Sequence, residues 1–203
     1  MARTQAVDYE ERREAIVDEA AKLFAQHGFL GTSVSQLAKA CGSSKSLLYH
    51  YYPSKEDVLY AVMASHIERL EELVGEVLDA GGAADKKLHR LLTLFMDEYI
   101  TASSRQKVLL NELGQLPPDR RKSIISKQRK IIDAIQALLT EMKPGVSSGK
   151  SRARAITMLV FGMINWTSTW YKPSGELSPA EIADLAFAIL VGDTQRTMSD
   201  QRD

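Results

Sequence analysis

Residues 32–59 read TSVSQLAKACGSSKSLLYHYYPSKEDVL, and the spacing within them decides the fold. Thr32 or Ser33 can cap a helix, and Gln36 stands three after Ser33, so that a cap hydroxyl and a glutamine side chain can each take up a free backbone N–H of the other. Gly42 ends that short helix, because a sharp reversal asks for backbone angles that side chains resist. Ser44 can cap a second short helix, Lys45 to about Tyr51. Pro53 interrupts it, having no N–H to donate and pushing its neighbour out of the helical region. Ser54 then opens a longer helix, with Asp57 closing a second capping box. Two short helices across the turn at residues 40–43 make a helix-turn-helix whose second helix projects outward. Leu48 and Tyr52, four apart, face inward.

Working outward from this stretch, helical periodicity continues in both directions. Ile16, Ala20, Leu23 and Phe24 recur at three-to-four spacing and predict a helix over about residues 9–27, ended by Gly28. Downstream of Ser54, apolar residues from Val58 to Val77 predict a long fourth helix, interrupted at Gly81 and Gly82, a candidate boundary. Further helices are expected over about residues 84–103, 105–116, 118–142 (behind Pro117 and Pro118), 151–171 and from Pro179, where Ser178 and Glu181 form another box. Residues 143–150, KPGVSSGK, read as a loop. No segment alternates as a strand does, so the fold class is all-α.

The chain has 203 residues and a formal net charge of zero, which argues against indiscriminate binding to polyanions. The distribution is uneven. Asp8 to Glu19 holds six acids, whereas the thirty-six residues between Glu19 and Glu56 hold none, only Lys22, Lys39, Lys45 and Lys55 with His27 and His50. A local positive surface suits an anionic partner. Cys41 is the only cysteine, so neither an internal disulfide nor a cysteine-based zinc site is expected, and it reads as a small packed residue. The start carries no charged leader with an apolar run, and the most apolar stretch, residues 155–166, is too short to span a bilayer. A cytoplasmic protein without a membrane partner is expected. The four histidines, His27, His50, His66 and His89, are scattered, and no HExxH, GxSxG or phosphate loop occurs. No enzyme, catalytic residue, metal site or cofactor is expected.

The segment GFLGTSVSQLAKACGSSKSLLYHYYPSKEDVL, with IVDEAAKLFAQHG upstream, resembles the N-terminal DNA-binding domain of TetR-family transcriptional repressors over about residues 12–59. The LF…G, T…LA, LYHYY and SKE landmarks keep the family's spacing. Cys41, Ser43, Ser46 and Leu47 depart from its more usual residues. The resemblance implies a three-helix DNA-binding domain, residues 1–56, and a larger ligand-binding and dimerisation domain, residues 57–203, with about nine helices in all. It also implies a homodimer on a palindromic double-stranded operator. On such a unit the second helix enters the major groove and flanking groups hold phosphate. Candidate DNA contacts are Thr32, Ser33, Ser44, Lys45, Ser46, Tyr49, His50 and Lys55; Tyr49, His50 and Lys55 are expected on phosphate, whereas Tyr52 is expected in the core.

A narrower likeness covers the C-terminal half. FGMINWTSTWYKPSGELSP and LNELGQLPPDRRKSIISKQRKII are similar to segments of TetR-type repressors that respond to acyl-CoA thioesters, which implies such an effector and candidate ligand contacts at Tyr99, Leu109, Leu113, Arg129, Gly162, Asn165 and Trp166. Gly162 and Trp166 are four apart, so an indole lies beside a missing side chain, with the Asn165 amide next to it. Such a face suits an acyl chain, and it equally suits the core of a dimer; both readings stand. Residues 105–154 hold twelve Lys and Arg against four acids, either solvated helix faces or a rim for effector phosphates. Two rivals remain. A regulator of an efflux system sensing a hydrophobic or cationic drug would need pocket acids, for which only Asp97 and Glu98 lie near an apolar face. A helical interaction scaffold without DNA binding would have no reason to keep acids off the outward helix.

Overall fold

The computed structural model of the chain describes residues 2–142 and 150–192, with side chains from Tyr9 onward. The expected loop at 143–150 therefore lies, apart from Lys150, outside the described residues. Those residues form nine α-helices and no strand: α1 (Ala2–Gly31), α2 (Val34–Ala40), α3 (Lys45–Tyr51), α4 (Lys55–Asp79), α5 (Ala84–Thr101), α6 (Ser103–Asn111), α7 (Pro118–Met142), α8 (Lys150–Trp170) and α9 (Pro179–Val191). A single 3-10 turn, Leu113–Gln115, stands between α6 and α7. They fall into two compact units, Met1–Glu68 with Ser104–Ile125, and Arg69–Ser103 with Ser126–Asp203.

The first unit is built on α1 to the first half of α4. Ile16, Ala20 and Phe24 recur every four residues on α1 and are at most 2% exposed, together with Leu37 of α2, Leu48 of α3 and Leu59 of α4. Truncating one of the larger of these side chains, Ile16, Phe24, Leu37, Leu48 or Leu59, to alanine costs about 2–5 kcal/mol. The helix of α1 is broken at Gly28, whose φ of 73° and ψ of 163° are reserved for glycine, and a Cβ there would stand 3.3 Å from the Glu112 carboxylate. Thr32 closes the corner that follows, its hydroxyl donating to the carbonyls of Gly28 at 2.9 Å and Leu23 at 3.3 Å. Two arginines from α6 and α7 tie into the same unit. Arg105 donates to Asp18 at 2.8 Å, to Ser65 at 3.0 Å and to Glu14, and Arg120 reaches Asp57 and lies over the Tyr60 ring at 5.1 Å.

In the second unit α5 lies against α8 and α9 and buries Leu88, Leu91, Leu92, Phe95, Met96 and Tyr99. The α9 helix opens on the expected box: the Ser178 hydroxyl accepts from the Glu181 N–H at 3.2 Å while the Glu181 carboxylate accepts from the Ser178 N–H at 2.7 Å. It closes at Gly192 in the left-handed conformation. The core side of α8 is Ala153, Thr157, Val160, Ile164 and Thr167. Its other side leaves Leu159 69%, Trp166 67% and Trp170 52% exposed, and α9 adds Leu185 and Ile189. No helix among the described residues is long and apolar enough to cross a membrane.

Candidate nucleic-acid interface

The two short helices are set by their caps. Ser33 and not Thr32 caps α2: its hydroxyl accepts from the Gln36 N–H at 3.2 Å, and the Gln36 side chain accepts from the Ser33 N–H at 2.8 Å. Cys41 and Gly42 turn the chain, Gly42 with φ at 57°, and the Ser43 N–H returns to the Ala38 carbonyl at 2.8 Å. The Ser44 hydroxyl then accepts from the Leu47 N–H at 3.1 Å and starts α3. Burial, with the charge of Glu19 adding to it, pushes the Cys41 thiol above its ordinary value, in keeping with a packed residue.

On α3, Leu48 is the buried anchor and Lys45, Ser46, Leu47, Tyr49 and His50 are all exposed. Just beyond the helix, Tyr52 is 5% exposed, its hydroxyl donates to the Arg13 carbonyl at 3.4 Å, and the Arg13 guanidinium lies 5.2 Å from its ring centre. Burial raises the Tyr52 hydroxyl above its ordinary value against the opposing pull of Arg13. Tyr51 packs on Tyr9 of α1 with ring centres 4.8 Å apart, and the His50 ring meets both edge-on. His50 is thus an exposed side chain on an ordered aromatic seat.

The expected DNA contacts therefore divide. Ser33, Ser44, Lys45, Ser46, Tyr49 and His50 share the exposed surface of α2, the turn and α3. Thr32 and Lys55 are placed otherwise. Thr32 is 1% exposed with its hydroxyl turned inward, because the corner after Gly28 needs its backbone oxygens satisfied. Lys55 is half-buried, its ammonium donating to the Phe29 and Thr32 carbonyls at 2.8 and 2.9 Å. Leu47, which departs from the family's more usual residue, is 41% exposed on the same helix. Nothing in the sequence points to the ion pairs of Arg105 and Arg120. Their acidic partners lie sixty or more residues away, so no local spacing announces them.

The seven expected effector contacts are spread over both units. Leu109 is buried and Leu113 half-buried in the first. In the second, Tyr99 is 6% exposed and stacked on Phe95 with ring centres 6.0 Å apart, while Arg129 is exposed on α7. Gly162 and Trp166 lie on the outer side of α8, with Asn165 half-buried beside them. Part of the basic excess is paired: Lys127 and Lys130 with Glu71 at 3.2 and 3.4 Å, Arg154 with Asp133 at 2.6 Å. No group of three or more His, Cys, Asp or Glu that could hold a metal occurs among the described residues.

Residues 16–62 match the family described as bacterial regulatory proteins, tetR family, and residues 81–193 match the tetracyclin repressor-like C-terminal domain. The chain is 29% identical over 202 residues to the HTH-type transcriptional repressor KstR2 of Mycolicibacterium smegmatis, with 94% of each covered. Among solved structures, a TetR-family transcriptional regulator from Bordetella parapertussis superposes with a TM-score of 0.87 at 37% identity, covering 92% of this chain and 97% of that one. The structure of AibR in complex with isovaleryl coenzyme A and operator DNA is similar at a TM-score of 0.77 and 26% identity, covering 88% and 97%.

Proposed function

Since the chain belongs to the tetR family of bacterial regulatory proteins, we propose that it is a homodimeric transcriptional repressor which holds a palindromic operator and releases it on binding an acyl-CoA thioester. It acts by binding alone, in the cytoplasm, and not as an enzyme. The observation that carries the reading is the outward face of α3: Lys45, Ser46, Tyr49 and His50 stand exposed within a stretch of thirty-six residues that contains no carboxylate. The stretch itself brings no like charge to a duplex's phosphates, and donors of several kinds are available to phosphate and base edges. Ser33 and Ser44 extend the surface at the two helix starts. The functional division follows the order 1–56 for reading and 57–203 for effector and dimer.

The dimer reading rests on α8 and α9. Leu159, Gly162, Trp166 and Trp170 form one stripe at helical spacing on the outer side of α8, next to an α9 that exposes Leu185 and Ile189. Exposed tryptophans on such a stripe suit a self-complementary four-helix interface. That placement favours Trp166 and Gly162 in the dimer core over an acyl pocket, and leaves Tyr99, Leu109, Leu113, Arg129 and Asn165 as the effector candidates. A relative captured with isovaleryl coenzyme A and operator DNA supports the thioester class. Titration of the protein–operator complex with a panel of CoA thioesters tests it. Release by at least one thioester, and not by free CoA, is the expected result; retention of DNA with every member overturns the effector assignment. Effector and operator affinities are reciprocally coupled, so the operator weakens thioester binding by the same factor.

A further inference from the structure

Lys55 is the first residue of α4, where the free N–H groups of a helix make a positive charge unfavourable. Its ammonium is led away from that end. It donates to the carbonyls of Phe29 at 2.8 Å and Thr32 at 2.9 Å and stands 4.1 Å from the centre of the Phe29 ring. These contacts fall on the corner between α1 and α2. Phe29 directly follows the break at Gly28, and Thr32 directly precedes the Ser33 cap. The corner's other ties carry no charge: the Thr32 N–H returns to the Phe29 carbonyl at 3.3 Å, the Thr32 hydroxyl donates to the Gly28 and Leu23 carbonyls, and the Phe29 ring packs on Phe24 with centres 5.6 Å apart. Charge-assisted hydrogen bonds to two carbonyls are the strongest of these.

We propose that Lys55 is a positioning residue for the DNA-reading surface: its ammonium locks the α1–α2 corner, and the corner fixes where α2 starts and how α2 and α3 are presented. This rests on the reading of the α2–α3 face as the duplex interface. The sequence alone suggests a different part for the same lysine, a phosphate anchor, and the two roles differ in a measurable way. Each phosphate neutralised by a side chain adds about 0.9 to the slope of log affinity against log salt, so an anchor present once per protomer contributes about 2 in a dimer. A lock contributes nothing to the slope. It acts on the geometry of the reading helix, and hence on the ratio of operator to scrambled-duplex affinity.

The test is fluorescence anisotropy across a salt series, with a selected operator duplex and a scrambled duplex of equal length, for the parent, Lys55→Met and Lys55→Arg, each first checked for folding by circular dichroism. For a lock, Lys55→Met loses about ten-fold or more in operator affinity, keeps the parental salt slope and lowers the operator-to-scrambled ratio. Lys55→Arg moves in the same direction, because a planar guanidinium on a longer stem does not fit between two carbonyls and a ring built around a compact ammonium. An anchor predicts the opposite on both counts, a slope flatter by about 2 for the methionine and parental affinity for the arginine, and either result overturns the proposal. A variant that melts lower yet keeps parental affinity and ratio also overturns it, by reducing Lys55 to a stabilising contact. If the methionine variant does not fold, the arginine variant decides by itself. Failure of the parent to distinguish any selected duplex from the scrambled one counts against the interface reading and is separate from these outcomes.

Discussion

The guanidinium of Arg105 on α6 donates to the Asp18 carboxylate of α1 at 2.8 Å, joining helices eighty-seven residues apart in the chain. The same guanidinium takes Glu14 and the Ser65 hydroxyl, and its side chain is only 17% exposed although both acids are more than half exposed. Water screens such a pair from the carboxylate side, so its worth is modest. Arg105→Met is expected to lower stability by about 1 kcal/mol, and a double-mutant cycle with Asp18→Asn is expected to show positive coupling below that figure. Additive effects in urea unfolding would mean that the contact contributes nothing.

Asp57 makes stability depend on pH. Burial alone raises its pKa, but the hydrogen bonds from Ser54 and the Arg120 guanidinium outweigh it and hold the carboxyl below its ordinary value. A carboxyl lowered in the folded state stabilises fully above the unfolded value, and that contribution is lost as pH falls through the folded one. Asp57→Asn is therefore expected to be less stable than the parent at neutral pH. The gap should close as pH drops below about 4, the usual carboxylate range. Parallel unfolding curves across that window would contradict the assignment.

The proposed dimer seam is the outer stripe of α8, and it can be tested by charge. Leu159→Glu places a charge on a residue that is 69% exposed in the single chain, so it should leave the fold intact and convert dimers into monomers in sedimentation velocity at micromolar concentration. The variant's tryptophan emission should lie to the red of the parent's, as Trp166 and Trp170 become wet. A dimer unaffected by this change would place the interface elsewhere.

Leu47 offers no polar side-chain atom on a face where Ser46 and His50 do, and it is 41% exposed. An exposed apolar side chain on a reading helix matches the C5 methyl of thymine. Replacing single thymines of a selected half-site by deoxyuridine should weaken the parent at one position by about 1 kcal/mol, roughly one methyl group, and Leu47→Ala should be insensitive to the same replacement. Equal sensitivity of both proteins at every position would remove Leu47 from base reading.

Much of this architecture is legible in the residues themselves. Ser33 with Gln36 and Ser178 with Glu181 mark helix starts to within a residue, since a capping box is a local device whose partners are three apart. The start of α1 is not marked in that way. The helix begins at Ala2 where periodicity suggested about residue 9, because ARTQAVD carries no apolar stripe to show it. The helix expected over 105–116 is α6 followed by a 3-10 turn, with Gly114 in that turn and two prolines after it. The exposed face of α2 and α3 is legible as a run without acids. Which members of the run face inward is not: Thr32 is held by carbonyls four and nine residues back, and Lys55 by carbonyls more than twenty residues back, and no spacing rule encodes either. Similarly, helical spacing placed Gly162 and Trp166 on one face of α8 without saying that this face points away from α5.

Selection of bound duplexes from a random pool by the native protein tests the central claim most directly. A pair of α3 helices related by two-fold symmetry should enrich an inverted repeat with half-site centres about 34 Å apart, one turn of the double helix, or somewhat more. A pool that remains random after repeated rounds, or that converges on a site without two-fold symmetry, would contradict the account.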